Sequence, residues 1–490
     1  MLERVELGDV DVHKPYRGIL EGGLGSSSEV AEPRPDGDDQ IRIDGQPVRF
    51  ADPGEAVRRG IGMVHQHFML VPVFTVAENI VLGFEPTRHL GFLDRRKARA
   101  DILRLSREFG LEVDPDALVE NIPVGAQQRV EIVKALMRDA QVLILDEPTA
   151  VLTPQESEGL FTVIRSLAKS GRSVLFITHK LKEVFAVADR ITVMRLGKVV
   201  GHTTPKETNE AELATMMVGR SVDLVVNKGE ANPGQPVLEL DDLTLTDERG
   251  VTVVDHVSLT VRSGEVVAVA GVQGNGQTEL TEAITGLHHG SVTQGSIRLA
   301  GQDLTHASPR QALRSGIANI PEDRQVDGLV LSMSIADNLV LDVFNQEPNA
   351  RFGARDLGRV RRDGELKLKE FDIRAASAEV PVGTLSGGNQ QKVVVARELS
   401  RPVTLLVASQ PTRGLDVGSI EYVHRRIIDE RDRGAGVLLV SSELDEVMAL
   451  ADRIAVMCRG RIVGVVPAGT SREQIGLLMA GVEQSGQGKA

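Results

Sequence analysis

The sequence predicts an α/β protein made of two tandem copies of one domain, each with a helical insert, the first copy incomplete on its N-terminal side. Three observations carry this prediction. Short β-branched runs alternate with stretches of helical period, the pattern of parallel strands covered by helices. Segments of the first half return in the second at nearly constant spacing. A glycine-rich strand–loop–helix stretch in the second copy lacks a counterpart in the first.

The strands are short and apolar. VLILD (Val142–Asp146) and SVLFIT (Ser173–Thr178) read as buried strands, and RITVMRLGKVV (Arg190–Val200) reads as strand throughout. Glu156–Ser170 reads as the amphipathic helix between the first two. From Phe84 to Lys134 the pattern is mostly helical, with Arg and Leu interleaved in DRRKARADILRLSREFG, and forms the insert. The repeats fix the second copy. ADRITVM (Ala188–Met194) returns as ADRIAVM (Ala451–Met457), and QQRVEIVKAL (Gln127–Leu136) as QQKVVVAREL (Gln390–Leu399), both at an offset of 263. IRIDG (Ile41–Gly45) returns as IRLAG (Ile297–Gly301) at 256, so loops lengthen the offset along the chain. The expected organisation is an atypical disordered segment over 1–39, a first domain over 40–225, a linker rich in Gly, Pro, Asn and Lys over 226–236, a second domain over 237–478 and a flexible tail over 479–490.

Composition narrows the function. The chain has 490 residues and a net charge of −13, an acidic balance that argues against a surface built to coat nucleic acid. Its one cysteine, Cys458, rules out an intrachain disulfide and a cysteine-held zinc. No apolar run reaches the roughly 18 residues a spanning helix needs. No signal-type leader is evident at the start.

The chemistry gathers at strand ends. In VLILDEPTA, Asp146 and Glu147 close a buried strand, at the edge where open α/β sheets bind ligands. Asp146 suits a Mg²⁺ nucleotide through water, and Glu147 suits deprotonation of an attacking water. FITHKL sets His179 at the next strand end, where it can meet Glu147 or a phosphate. LSGGNQQKV places Ser386, Gly387 and Gly388 ahead of a helix expected to open near Asn389. Free backbone N–H groups at such a terminus bind anions. In VVAVAGVQGNGQTEL, a strand leads into Gly271, Gly274, Asn275, Gly276 and Gln277, a loop that can cradle phosphates, with Thr278 able to reach Mg²⁺.

Together these motifs resemble the ATP-binding subunits of ABC transporters, and more narrowly the tandem two-domain subunits of sugar and nucleoside importers, over about residues 40–480. LSGGNQ resembles the signature motif, LDEP the Walker B motif, His179 the switch histidine and Gln66 in MVHQHF the Q-loop glutamine. MVHQHFMLV, TVAENIVLGFEP, GVQGNGQTEL, IPEDR and QPTRGLD are similar to the nucleoside branch, which depends on a basic membrane lipoprotein. The resemblance implies two tandem P-loop NTPase domains, ATP and Mg²⁺ as cofactors, integral-membrane permease subunits as partners, a substrate-binding protein acting indirectly, no nucleic acid, and a peripheral place on the cytoplasmic face of the cell membrane. It implies Glu147, His179 and Gln66 as catalytic, Asp146, Gln66 and Thr278 as metal-binding, and Gly271, Gly274–Thr278 and Ser386–Asn389 as nucleotide-binding.

The two sites it implies are unequal. In this family each nucleotide lies between the P-loop of one domain and the signature of the other. The first combines Gln66, Asp146, Glu147 and His179 with the signature Leu385–Asn389. The first 39 residues contain no GxxxxGK[ST] sequence, and Pro15–Gly22 (PYRGILEG), the stretch at the matching offset, is no phosphate cradle. Gly22–Ser28 is glycine-rich but lacks lysine. The second site replaces the P-loop lysine with Gln277, the Walker B carboxylates with Ser409 and Gln410, the switch histidine with Ser442 and the Q-loop glutamine with Glu322, and faces PVGAQ (Pro123–Gln127) in place of SGG. A binding or structural site without hydrolysis is expected there, and poor ATP hydrolysis or none from the chain as written. The alternative is a pseudo-ATPase with a nucleotide-binding or scaffolding role. A soluble ABC protein acting on ribosomes or DNA would carry two complete sites, and on ribosomes a long charged linker, neither of which this sequence has.

Overall fold

In the computed structural model the chain divides into two units, Met1–Val222 and Asp223–Ala490. The structure describes residues 41–43, 45–65, 68–87, 93–149, 152, 154–195, 197–221, 226, 228–352, 354–479 and 481. The segment 1–39 with its Gly22–Ser28 run, the residues Gln66 and His67, and nearly all of the tail lie outside these.

In the first unit β1 (Ile61–Val64), β2 (Val142–Asp146) and β3 (Ser173–Ile177) form a parallel sheet in that order. The insert between β1 and β2 contains α1 (Arg95–Phe109) and α2 (Val124–Met137). The sequence dictates α1 at both ends. Asp94 accepts from the Lys97 N–H at the N-cap, and Gly110 closes the helix at φ 69°. Its buried Ile102, Leu105 and Phe109 fall on one stripe, so the Arg residues between them face water. Helix α3 (Pro154–Lys169) joins β2 to β3. One apolar core, with Val64, Ile132, Leu143, Leu145 and Leu167, lies between sheet and helices. The run Arg190–Val200 is not one strand. It folds as β4 (Ile191–Arg195) and β5 (Lys198–Thr203), antiparallel, because Gly197 takes a positive φ of 71° in the turn.

The second unit carries an antiparallel sheet containing β6 (Pro236–Thr246), β7 (Thr252–Arg262) and, after β8 (Val266–Ala270) and helix α4 (Gln277–Thr285), β9 (Ser291–Leu299). Next come β10 (Ile317–Ile320), an insert with α5 (Leu357–Glu370) and α6 (Gly387–Leu399), β11 (Leu405–Ser409), α7 (Val417–Asp432), β12 (Gly436–Ser441), β13 (Arg453–Cys458) and β14 (Arg461–Pro467). The main sheet runs β10-β11-β12-β8-β13-β14, parallel except for β14. Every residue of β8 is buried. Val266, Ala268 and Ala270 enter one core, and Val267 and Val269 the other. Burial on both faces explains why VVAVA is apolar throughout.

By the repeat, β1 to β5 correspond to β10 to β14, so of the second unit's main sheet only β8 is without a counterpart among the described residues of the first unit. There β3 and β4 belong to separate sheets, whereas their counterparts β12 and β13 both pair with β8. The side chains register the difference. Leu175, Ile177 and Met194 are 50%, 43% and 47% exposed, while Leu438, Val440 and Met457 at the same offset are 0%, 3% and 0% exposed.

Candidate functional site

In the first unit the candidate residues converge at the C-terminal ends of β2 and β3. Glu147 follows β2 with φ 44°, a left-handed conformation that non-glycine residues rarely adopt. Its N–H donates to the Ile177 carbonyl on β3 (2.9 Å), which holds the turn against the neighbouring strand end. His179, two residues beyond β3, approaches Glu147 Oε1 through Nδ1 at 2.9 Å. A carboxylate accepts, so Nδ1 donates and Nε2 is left for a second hydrogen bond. Burial pushes the Asp146 carboxyl up, the neighbouring Glu147 charge pushes it further, and His65 works in the opposite direction. A third acid went unread in the sequence. Glu183 accepts from Thr149 Oγ1 (2.5 Å) and Thr178 Oγ1 (2.9 Å), tying the turn after β2 to the end of β3. Burial raises its carboxyl above the ordinary range, against the pull of those hydroxyls. Glu446, at the same offset in the second unit, accepts from Thr412 Oγ1 at 2.7 Å.

In the second unit the glycine loop spans β8 and α4. Gly274 and Gly276 have φ of 87° and 96°. A Cβ on Gly276 would lie 2.3 Å from the Val253 carbonyl oxygen, so only glycine fits there. Asn275 holds the loop down: its Oδ1 accepts from the Arg459 N–H (2.9 Å), and its carbonyl from the Gly460 N–H (3.0 Å). Gln277 opens α4 with its side chain buried, and its Nε2 finds no hydrogen-bond partner among the described residues. Thr278 Oγ1 donates to Glu322 Oε2 at 3.1 Å. The strand ends repeat those of the first unit with altered side chains. Gln410 has φ 45°, and its N–H donates to the Val440 carbonyl at 2.7 Å. The Ser442 N–H and hydroxyl both donate to Gln410 Oε1 at 3.2 Å.

The helix after LSGG opens earlier than the sequence reading placed it. Helix α6 starts at Gly387, with Ser386 as N-cap at φ −62°, ψ 155°. The extended Ser386 backbone sets the N-cap, and Gly387 and Gly388 take helical positions despite their low propensity. The Ser386 hydroxyl accepts from no backbone N–H of the first turn, so those N–H groups are not capped by it. Asn389 instead donates to Ser386 Oγ (3.0 Å) and accepts from the Arg374 N–H (2.9 Å). Gln66, expected among these groups, lies outside the described residues.

The ABC transporter family matches residues 30–150 and 254–413, one match in each unit. The chain belongs to the ABC transporter family. Its ATPase domains bind ATP and couple hydrolysis to transport, and import ATP-binding proteins of this kind work with membrane permease subunits. The nucleoside import ATP-binding protein NupA of Lactococcus lactis subsp. cremoris is 48% identical over 443 residues, covering 90% of this chain and 87% of that protein. The ribose import ATP-binding protein RbsA 3 of Rubrobacter xylanophilus is 43% identical over 447 residues, covering 91% and 88%. Among solved structures, a complex of archaeal ribosomal stalk protein aP1 with the ribosome recycling factor aABCE1 aligns with a TM-score of 0.58 and 20% identity, covering 87% of this chain and 78% of that one. At that identity the likeness is one of fold. Among the described residues of this ABC subunit, no helix is long and apolar enough to cross a membrane.

Proposed function

We propose that this ABC subunit drives import of a nucleoside or simple sugar, with Glu147 of the first unit as the hydrolytic base and the second unit binding nucleotide without hydrolysing it. One observation carries the reading: Glu147, bonded to His179, and Gln410, bonded to Ser442, occupy the same left-handed turn, and of the two only Glu147 is a proton acceptor of suitable strength. In the first unit His179 orients the Glu147 carboxylate, and Glu147 takes the proton of the attacking water. The residues present fit the cofactors. The Asp146 carboxylate at the end of β2 suits Mg²⁺ through water, and the Gly271–Thr278 loop and the uncapped start of α6 suit phosphate. Bound Mg²⁺ would supply charge neutralisation for the phosphates. Gln66 is assigned to the Mg²⁺ and water side of the first unit.

The solute class follows from the relatives, named for import of nucleoside and ribose. An integral-membrane permease, fed by a separate substrate-binding protein, holds the subunit peripherally on the cytoplasmic face of the membrane. The alternative weighed on the sequence, a nucleotide-binding scaffold without turnover, finds no support in these relatives. The test is steady-state ATPase activity of the complex with its permease. Loss of turnover in Glu147→Gln, with little change in Gln410→Ala, is expected. The opposite pattern would move the base to the second unit.

A further inference from the structure

We propose that the second unit holds a nucleoside triphosphate and its divalent cation through a relocated pair of charges: Glu322 as the metal's carboxylate and Arg413 as the cation for the terminal phosphates. This rests on reading the second unit as a nucleotide site and specifies how that site is held. At corresponding positions of the repeat the first unit has Gln66, Asp146 and Ala150, and the second has Glu322, Ser409 and Arg413. The carboxylate lost at Ser409 therefore returns at Glu322. The positive charge absent from Gln277 returns at Arg413.

The geometry brings these relocated groups to one place. The Glu322 carboxylate accepts from Thr278 Oγ1 (3.1 Å), Gln273 Nε2 (2.7 Å) and Arg413 Nη1 (2.9 Å). The hydroxyl that follows the glycine loop, the carboxylate and the guanidinium thus share one hydrogen-bonded centre. Two further polar atoms of this unit are buried without a hydrogen-bond partner among the described residues: Gln277 Nε2 in the first turn of α4 and Ser409 Oγ at the end of β11. Gln277 Nε2 lies against Gly271, where a Cβ would come within 2.6 Å of it. A buried donor without an acceptor destabilises a fold unless a ligand supplies one, and phosphate oxygens are acceptors only.

Magnesium bound with a nucleotide typically takes one or two protein carboxylates, with phosphate oxygens and water completing the octahedron. Glu322 and Thr278 suffice for that role. Phosphate oxygens and water would complete the shell. Without ligand, Glu322 and Arg413 neutralise each other. With ligand, the carboxylate turns to the cation and the guanidinium to phosphate, where its forked donors match the oxygens. The Arg413 side chain is 39% exposed and has room to make that turn.

The experiment uses the full chain. Photolabelling with 8-azido-ATP, mapped by peptide mass spectrometry, reports occupancy of the second unit, and labelling titrations with Mg²⁺ or EDTA give affinity. Wild-type labelling of the second unit should require Mg²⁺. Glu322→Gln and Arg413→Ala should each weaken it about 10- to 100-fold, the size of a lost charge-assisted contact. Glu322→Gln should also lose the Mg²⁺ requirement. Returning each charge to its other position, in Glu322→Gln/Ser409→Asp and Arg413→Ala/Gln277→Lys, should restore binding, which a merely unfolded variant could not do. Labelling that ignores EDTA and both single substitutions would overturn the relocation while leaving the nucleotide site standing. No labelling of the second unit at all would overturn both.

Discussion

At Glu147 a carboxylate and an imidazole share a hydrogen bond on a left-handed turn; at Gln410 an amide and a hydroxyl share one on the same turn. Loss of a general base costs about 10²–10⁴ in rate, so Glu147→Gln should lower ATPase turnover of the permease complex by that factor. Glu183 acts at one remove. Glu183→Ala should leave two threonine hydroxyls without their acceptor and destabilise the first unit by about 1–3 kcal/mol, read as a lower urea midpoint. Tyr422 on α7 gives a pH signature. Burial raises its phenol from 10.0 to about 12, with Arg426 pulling the other way. The fold therefore favours the neutral phenol. That stabilising contribution is complete below the unfolded value and is lost as pH rises through the folded one. Tyr422→Phe should remove the alkaline loss between pH 10 and 12 in a denaturation series. Near neutrality it should cost little, because the hydroxyl is buried without a hydrogen-bond partner among the described residues. Sequence reading reached Glu147, Asp146 and His179 because each is adjacent to a strand end that its own apolar run announces. It missed Glu183 with Thr149, and Arg413 with Glu322, because those contacts join residues 34 and 91 positions apart, and strand order decides them.

At the scale of elements, β8 separates the two units. In the second unit it joins β12 to β13, and all of its side chains are buried. In the first, β3 and β4 lie in separate sheets and expose Leu175, Ile177 and Met194. Leu438→Ala should cost about 2–5 kcal/mol, the range for truncating a packed core leucine. Leu175→Ala, half-exposed already, should cost less than about half of that, since the stabilisation scales with apolar area removed from water. Urea denaturation of the two variants makes the comparison. A similar cost at both positions would mean that Leu175 is covered in solution. β2, β3, β8 and the helical pattern of the insert were legible in the sequence. The β4–β5 turn was not, because Arg190–Val200 is apolar and β-branched on both sides of Gly197 and a single strand satisfies the same pattern. The start of α6 differs from the expected opening near Asn389 by two residues, because the extended backbone of Ser386 makes it the N-cap.

At the scale of the molecule, the second unit buries two apolar cores, one on each face of its main sheet, while the described part of the first is organised around one. Unequal cores predict unequal stability. Chemical denaturation of the whole chain should proceed in two steps, with the first unit unfolding at lower denaturant, and with probes in the two units giving separate midpoints. Coincident midpoints would show that the units unfold as one. The left-handed turn shared by Glu147 and Gln410 has a consequence for the history of this duplication. A non-glycine residue in that conformation costs about 1–3 kcal/mol, yet the copy without a base has kept it. In both copies the peptide N–H of that turn fastens one strand end to the next, so the backbone's role does not depend on the side chain it displays. A lineage built this way can lose the chemistry of one site without remodelling a scaffold, and reversion of Gln410 to Glu and Ser442 to His would need no new backbone.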